Sequence, residues 1–303
     1  MSGISRRRFI AAASLAAGAA AIAPRRTAAE PPPENPAADR IAGDLVSLGR
    51  TGLKPSRLGM GTGTHGVRRA SNQQRLGEAK FNALVRHAVE HGVRYFDTAD
   101  QYGMHIFLRN ALRQIEGLKR EELFIQSKIR ATHPAVAAAD IERFRQELGV
   151  EYLDSLLMHC MTRTDWPDTL RQVMDVMADA KRKGVVRAVG ISCHSLEALK
   201  AAVRCEWVDV VLARINPFGS TMDGTPAEVA PVLADLHKAG KGVIGMKLLG
   251  CGRHVATEER LKSLDYVIGL GSVACFTIGF ESPQQIDQVL AQIGSLARGG
   301  RGG

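Results

Sequence analysis

The chain has 303 residues, 45% of them hydrophobic, which suffices for one large α/β domain or two small ones with a sizeable core. The formal net charge of +9 suggests an acidic partner, but Arg6, Arg7, Arg8, Arg25 and Arg26 lie within the first 26 residues, and without them 35 basic residues face 31 acidic ones. That balance removes the main support for a nucleic-acid role, and five dispersed cysteines (Cys160, Cys193, Cys205, Cys251, Cys275) without a Cys-x-x-Cys pair argue against a disulfide framework or a structural zinc site, so no metal is expected.

The N-terminal stretch Ser5-Arg6-Arg7-Arg8-Phe9-Ile10 leads into a small-residue apolar run from Ala11 to Ala23. It resembles a twin-arginine export signal, whose motif is a Ser-Arg-Arg pair followed by a variable residue and Phe. The run is too short and too alanine-rich for a stable membrane span. Pro24 disfavours cleavage after Ala23, so Thr27-Ala28-Ala29 is the expected site. The resemblance implies the twin-arginine export machinery as a partner, export in the folded state and a periplasmic or secreted location. Folding in a reducing cytoplasm is compatible with five free thiols. Residues 1–29 are accordingly assigned to a signal peptide and 30–43 to a Pro-rich linker. Residues 44–293 are assigned to the folded domain and 294–303 to a disordered Gly/Arg tail.

After the linker, Asp44 to Leu48 and Leu53 to Leu58 read as a hairpin around Gly49-Arg50-Thr51-Gly52. Short apolar runs then start near Arg57, Arg94, Leu123, Asp154, Arg187, Val208, Gly242 and Cys275. Helix-period segments alternate with them: 75–91, 105–116, 136–148, 166–183, 195–204, 227–239, 258–268 and 283–292. Strands such as Leu153 to Met158 are apolar without alternation, as expected when both faces of a parallel sheet are buried. Eight such units close most simply into a (β/α)8 TIM barrel with an N-terminal hairpin. A doubly wound open sheet is the alternative, and the missing Gly-x-Gly-x-x-Gly turn counts against it.

A barrel of this kind gathers the C-terminal ends of its strands on one face, where its chemistry sits. Those ends carry Thr62 and Thr64, then Asp97 with Tyr102 five residues on, Lys128, His159 and Ser192. An ammonium beside Tyr102 would lower its pKa and help it donate a proton, with Asp97 keeping Lys128 charged and His159 orienting a carbonyl oxygen. Such a donor set calls for a hydride source that no side chain supplies, which implies a nicotinamide cofactor.

From Leu48 to Ile286 the chain resembles the aldo-keto reductases. The family's Phe-Asp-Thr-Ala-x-x-Tyr-Gly motif stands at Phe96 to Gly103, its lysine at Lys128 in Gln126-Ser127-Lys128, and its histidine at His159. The resemblance implies Asp97, Tyr102, Lys128 and His159 as the catalytic residues of an NAD(P)(H)-dependent oxidoreductase acting without metal on a small-molecule carbonyl or sugar-like substrate.

The cofactor side departs from the family pattern. Where the family has Ser-Asn and a Gln for the carboxamide, this chain has Ser192-Cys193 and Leu212, with Arg214 as a possible substitute or, equally, a rim residue paired with an acid. Lys247, Leu249, Gly250 and Gly252 resemble the pyrophosphate loop, where small residues let backbone amides approach phosphate, and Thr62 joins the expected cofactor set. At the adenosine end, Gly279, Glu281 and Gln285 replace the family's basic residues, so NAD is preferred over NADP. Trp166, Phe218 and Met222 are candidate pocket liners. A dinucleotide-binding barrel with little turnover, acting as a sensor or partner module, is the competing reading.

Overall fold

A computed structural model describes residues 42–299. The candidate signal peptide (1–29), the linker up to residue 41 and residues 300–303 lie outside the described residues. Eight strands, β1 (Leu58–Gly61), β2 (Tyr95–Asp97), β3 (Phe124–Ile129), β4 (Leu153–Met161), β5 (Val186–Cys193), β6 (Val210–Arg214), β7 (Gly242–Met246) and β8 (Cys275–Gly279), pair in parallel and in sequence order. β8 closes on β1 through registers such as Gly59 with Thr277, completing a (β/α)8 barrel. One long helix follows each strand: α1 (Glu78–Glu90), α2 (His105–Arg113), α3 (Pro134–Leu148), α4 (Arg171–Arg182), α5 (Leu196–Arg204), α6 (Pro226–Lys238), α7 (Thr257–Gly269) and α8 (Pro283–Gly299).

The unbroken apolar strand runs are explained by two separate packing layers. Tyr95, Phe124, Leu157, Val210, Leu212, Ile244 and Cys275 fill the barrel interior. Residues of alternate direction, among them Phe96, Ile125, Leu156, Ile191 and Val211, pack outward against the helices. With both faces buried, a strand needs no polar alternation. Closure also demands a small residue where β5 meets β6, since a Cβ on Gly190 would sit 1.8 Å from the Val210 carbonyl oxygen.

Local signals set the helix ends. α3 starts with Pro134 and stops at Gly149, whose φ of 66° places it in the left-handed region. α6 begins with a capping box in which Thr225 and Glu228 satisfy each other's backbone amides. On the N-terminal side of the barrel, buried Asp154 accepts from Arg120, Arg187 and the Ile125 amide, tying β3, β4 and β5 together.

Several boundaries differ from the sequence expectation. The hairpin is held by bonds such as Val46 N to the Pro55 carbonyl and Leu48 N to the Leu53 carbonyl, but only Leu45 and Ser56 form a strand-like bridge. The first helical segment is broken by Gly77 at φ 78°, leaving a one-turn helix Asn72–Arg75 before α1. The fourth divides into a turn Trp166–Thr169 and α4. The last helix continues through residues 294–299, which the sequence reading gave to a disordered tail; Leu296 packs on the core there, and the apolar spacing Ile286, Val289, Leu290, Ile293 carries on into it.

Candidate active site

Parallel strands of one barrel deliver their C-terminal residues to a common rim, and this brings four side chains together. Asp97 ends β2, Lys128 lies near the end of β3, and His159 belongs to β4. Tyr102 closes a single 3-10 turn, Asp100–Tyr102, that Gly103 terminates at φ 69°. Its ring lies against Gly63 and Gly66, where a Cβ would meet ring carbons at 2.3 Å, so the loop after β1 is glycine-rich to seat this tyrosine.

Lys128 Nζ donates to Asp97 Oδ1 at 2.6 Å and to the Thr98 carbonyl at 2.9 Å. The same carboxylate oxygen accepts from Gln126 Nε2 at 2.8 Å, and that amide also reaches the Tyr95 hydroxyl. Lys128 is 1% exposed, so the ion pair is fully withdrawn from water. Its ammonium faces the Tyr102 ring, 4.8 Å from the centroid. The Tyr102 hydroxyl lies 3.4 Å from His159 Nε2, with the two rings edge to face.

The charge balance differs from the sequence expectation in one respect. Burial, reinforced by the Asp97 carboxylate, pushes the Tyr102 hydroxyl well above the usual phenol range. Burial also lowers Lys128, opposed by Asp97. His159 is held well below the usual imidazole range, first by burial and then by Lys128, so it is neutral at pH 7. Among the described residues, the buried His159 Nδ1 meets no partner. A stranded acceptor costs less than a stranded donor, which favours the tautomer with the proton on Nε2. Two donors 3.4 Å apart, the Tyr102 O–H and the His159 Nε2–H, can then converge on one oxygen.

A cavity of about 550 Å³ opens beside Tyr102 and Asp97 and runs over the ends of β7, β8 and β1 to α8. Of the expected cofactor residues, Lys247, Leu249, Gly252, Gly279, Glu281 and Gln285 line it. Thr277, Arg260, Asn72 and Gln288 also line it, and the sequence reading missed all four. Thr277 offers a buried hydroxyl that meets no partner among the described residues, and Asn72 Nδ2 donates to Glu281 Oε1 at 2.6 Å. A pocket of this size with a cation, an unpaired hydroxyl and carboxamides fits the phosphate, ribose and base portions of a dinucleotide.

Other expected positions stand outside that cavity. Thr62 is buried and turns its hydroxyl to the Asp97 carbonyl. Ser192 Oγ accepts from the Cys160 amide, Cys193 is buried in the packing between strands and helices, and Leu212 fills the barrel interior. Arg214 pairs with Asp223 at 3.2 Å and with His194, the contacts expected of a rim residue paired with an acid. The amides of Gly250 and Gly252 close turns onto the Lys247 and Leu249 carbonyls, so these glycines shape the loop instead of presenting amides. Trp166 is buried and donates to the Ala198 carbonyl, while Phe218 stacks on His254 at 3.9 Å. Met222 Sδ accepts from the Asn216 amide. The residue after Met104, His105, is structural: its ring nitrogens meet Glu147 and Ser127 at 2.8 Å each.

The model of the Aldo/keto reductase family matches residues 57–292. A D-galacturonate reductase of Fragaria ananassa is 25% identical over 230 residues, covering 69% of this chain and 67% of that protein. An NAD(P)H-dependent 6'-deoxychalcone synthase of Glycine max is 29% identical over 131 residues, and the chain spans only 42% of its length. A solved structure from Pseudomonas aeruginosa, assigned to the aldo-keto reductases, superposes with a TM-score of 0.68 at 25% identity, over 85% of this chain and 97% of that one. The holo form of an aldo-keto reductase from Bacillus halodurans, at 18% identity and a TM-score of 0.67, covers 82% of this chain and 90% of its own and shares the fold.

Proposed function

Since the chain belongs to the aldo/keto reductase family, we propose that it reduces an aldehyde or ketone to an alcohol, or runs the reverse oxidation, with NAD(P)(H). The observation that carries the proposal is the convergence of the Tyr102 hydroxyl and His159 Nε2, 3.4 Å apart, beside the buried Lys128–Asp97 pair and at the mouth of the cavity. Lys247 would hold phosphate, and Glu281, Gln285 and Thr277 would take the ribose and base end. When bound there, the nicotinamide supplies hydride.

The chain's own residues supply the proton and the orientation. The His159 Nε2–H holds the substrate oxygen, and the Tyr102 O–H hydrogen-bonds the same atom. As that oxygen gains negative charge its basicity exceeds that of a phenolate, so Tyr102 donates even with a raised pKa. Lys128, fixed by Asp97 and Thr98, lies over the Tyr102 ring and stabilises the phenolate left behind.

The substrate reading is a small, sugar-like carbonyl compound. The Fragaria ananassa relative named for D-galacturonate supports it, as does Arg130, whose charge reaches His159 and would attract a carboxylate-bearing substrate. NAD is preferred over NADP in this reading because a carboxylate, Glu281, lines the cavity and would repel a 2′-phosphate. Arg260 lines the same cavity, but its guanidinium already donates to Gln292 and the Val255 carbonyl. Export through the twin-arginine pathway belongs to this proposal and rests on Ser5 to Phe9 alone; replacing Arg6 and Arg7 by lysine and fractionating cells would test it. Retention of the mature protein outside the cytoplasm in that variant would remove the basis for it.

A second reading, a dinucleotide-binding module with little turnover, is favoured by one observation. The positions expected to grip the carboxamide are otherwise engaged at Ser192 and Arg214 and apolar at Leu212. Titration with NADH and NADPH, followed by a panel of neutral and acidic sugar aldehydes, separates the two. Binding with consumption of the reduced cofactor supports the enzyme; tight binding without redox change across the panel supports the module. Tighter binding of NADPH would contradict the NAD preference.

A further inference from the structure

We propose a divalent transition-metal site on the outer face of the barrel, formed by His87 and His91 of the α1 segment and Asp287 of α8. One nitrogen of each imidazole and one carboxylate oxygen lie within 4.8 Å of one another. His87 and His91 are one helical turn apart, so their rings project from the same face, with centroids 4.2 Å apart. His87 Nε2 is 2.6 Å from Asp287 Oδ1.

The hydrogen bonding of His91 is already that of a ligand. Its Nδ1 meets the His87 carbonyl at 2.8 Å, and a carbonyl can only accept, so the proton sits on Nδ1 and the lone pair on Nε2. Metal-bound histidines commonly have their other nitrogen fixed to a backbone carbonyl in this way. A simple His–Asp ion pair accounts for His87 and Asp287 but leaves the placement of the second imidazole unused.

The donor set selects the ion. Two imidazoles and one carboxylate suit zinc, cobalt, nickel or copper over magnesium or calcium, and a tetrahedral ion would keep its fourth position for water. With metal–ligand bonds of about 2.0–2.2 Å, neighbouring ligand atoms stand roughly 3.3 Å apart. His87 and Asp287 therefore part slightly as the ion replaces their hydrogen bond, while His91 draws in. Their side chains are 23% and 35% exposed, which leaves room for that adjustment and for the ion to enter from solvent.

Such an ion would tether the first long helix to the last. α8 also presents Gln285, Gln288 and Val289 to the large cavity, so the tether would steady one cavity wall from behind. Its spacing, His-x-x-x-His with an aspartate about 200 positions later, joins only in the folded chain, and an expectation based on cysteine spacing does not reveal it.

The test uses the full chain without a polyhistidine tag, titrated with zinc by calorimetry and with cobalt by absorption. The wild type should take up one zinc ion, gain thermal stability on zinc addition, and give the visible bands of tetrahedral cobalt without a thiolate charge-transfer band. His91→Ala and Asp287→Asn should each weaken binding at least ~10-fold and lose the thermal shift, while far-UV circular dichroism and carbonyl reduction stay as in the wild type. Absence of stoichiometric uptake would overturn the proposal. So would binding undiminished in both variants, or a thiolate band placing the ion on cysteine.

Discussion

Lys128 and Asp97 form an ion pair, 2.6 Å from Nζ to Oδ1, in which the lysine is only 1% exposed. A charge buried this deeply is tolerable only while its partner remains. Lys128→Met leaves the Asp97 carboxylate with Gln126 as its main donor and should destabilise the fold by about 3–5 kcal/mol. Asp97→Asn strands the ammonium in the same way. Combining Lys128→Met with Asp97→Asn should recover much of that loss, since no charge is left unpaired, without restoring turnover. Chemical denaturation of the two single variants and the double variant, alongside their reduction rates, checks both halves. Additive destabilisation in the double variant would contradict the pairing.

The pH dependence of reduction follows from two groups that stay neutral. His159 is held below its ordinary range by burial and Lys128, and Tyr102 above its own by burial and Asp97. Neither changes protonation near neutrality, so kcat/KM for reduction should be flat from about pH 6 to about pH 9. A steady-state profile with an uncharged aldehyde tests this; an inflection near the ordinary imidazole value would show that His159 titrates.

Acid stability should carry two opposing contributions at Arg214. Burial and then Arg214 lower His194 to about 3, so between the unfolded value of 6.5 and about 3 the unfolded chain binds the extra proton and stability falls as pH falls. Asp223 is raised to about 6 by burial, against the pull of Arg214, so from about 6 down to its unfolded value of 3.8 the folded chain binds the extra proton and stability rises. The two nearly cancel in that window. His194→Asn should expose the Asp223 contribution and become more stable as pH drops below about 6, while Asp223→Asn should lose stability from pH 6.5 downward. Urea denaturation of the three proteins across this range reads the slopes directly; parallel slopes would contradict the assignment.

How far the sequence reveals this molecule depends on which interaction decides each feature. The barrel was legible because closed parallel sheets bury both strand faces, and runs such as Leu153 to Met158 carry that requirement locally. The grouping of Asp97, Tyr102, Lys128 and His159 is legible from their places at or just beyond strand ends together with the Phe96 to Gly103 motif. The cofactor side was less legible, since whether a side chain faces a ligand or a neighbour is a tertiary matter. Ser192 turns to the amide of Cys160 on the neighbouring strand, and Arg214 to Asp223 across the irregular loop that follows it, neither of which a local pattern specifies. Thr277 and Arg260 escaped notice because a threonine inside a strand and an arginine in a helix are ordinary there. The direction of the Tyr102 pKa is not legible in the sequence, because its largest cause is burial, to which the Asp97 carboxylate adds.

The central claim is that Tyr102 is the proton donor. Single-turnover reduction of an aldehyde by Tyr102→Phe, measured with cofactor affinity in the same preparation, tests it most directly. The phenyl ring keeps the packing against Gly63 and Gly66 while removing the hydroxyl that meets His159. The rate should fall by roughly 10²–10⁴ with the dissociation constant of the reduced cofactor almost unchanged; a variant that reduces the aldehyde at the wild-type rate would contradict the account.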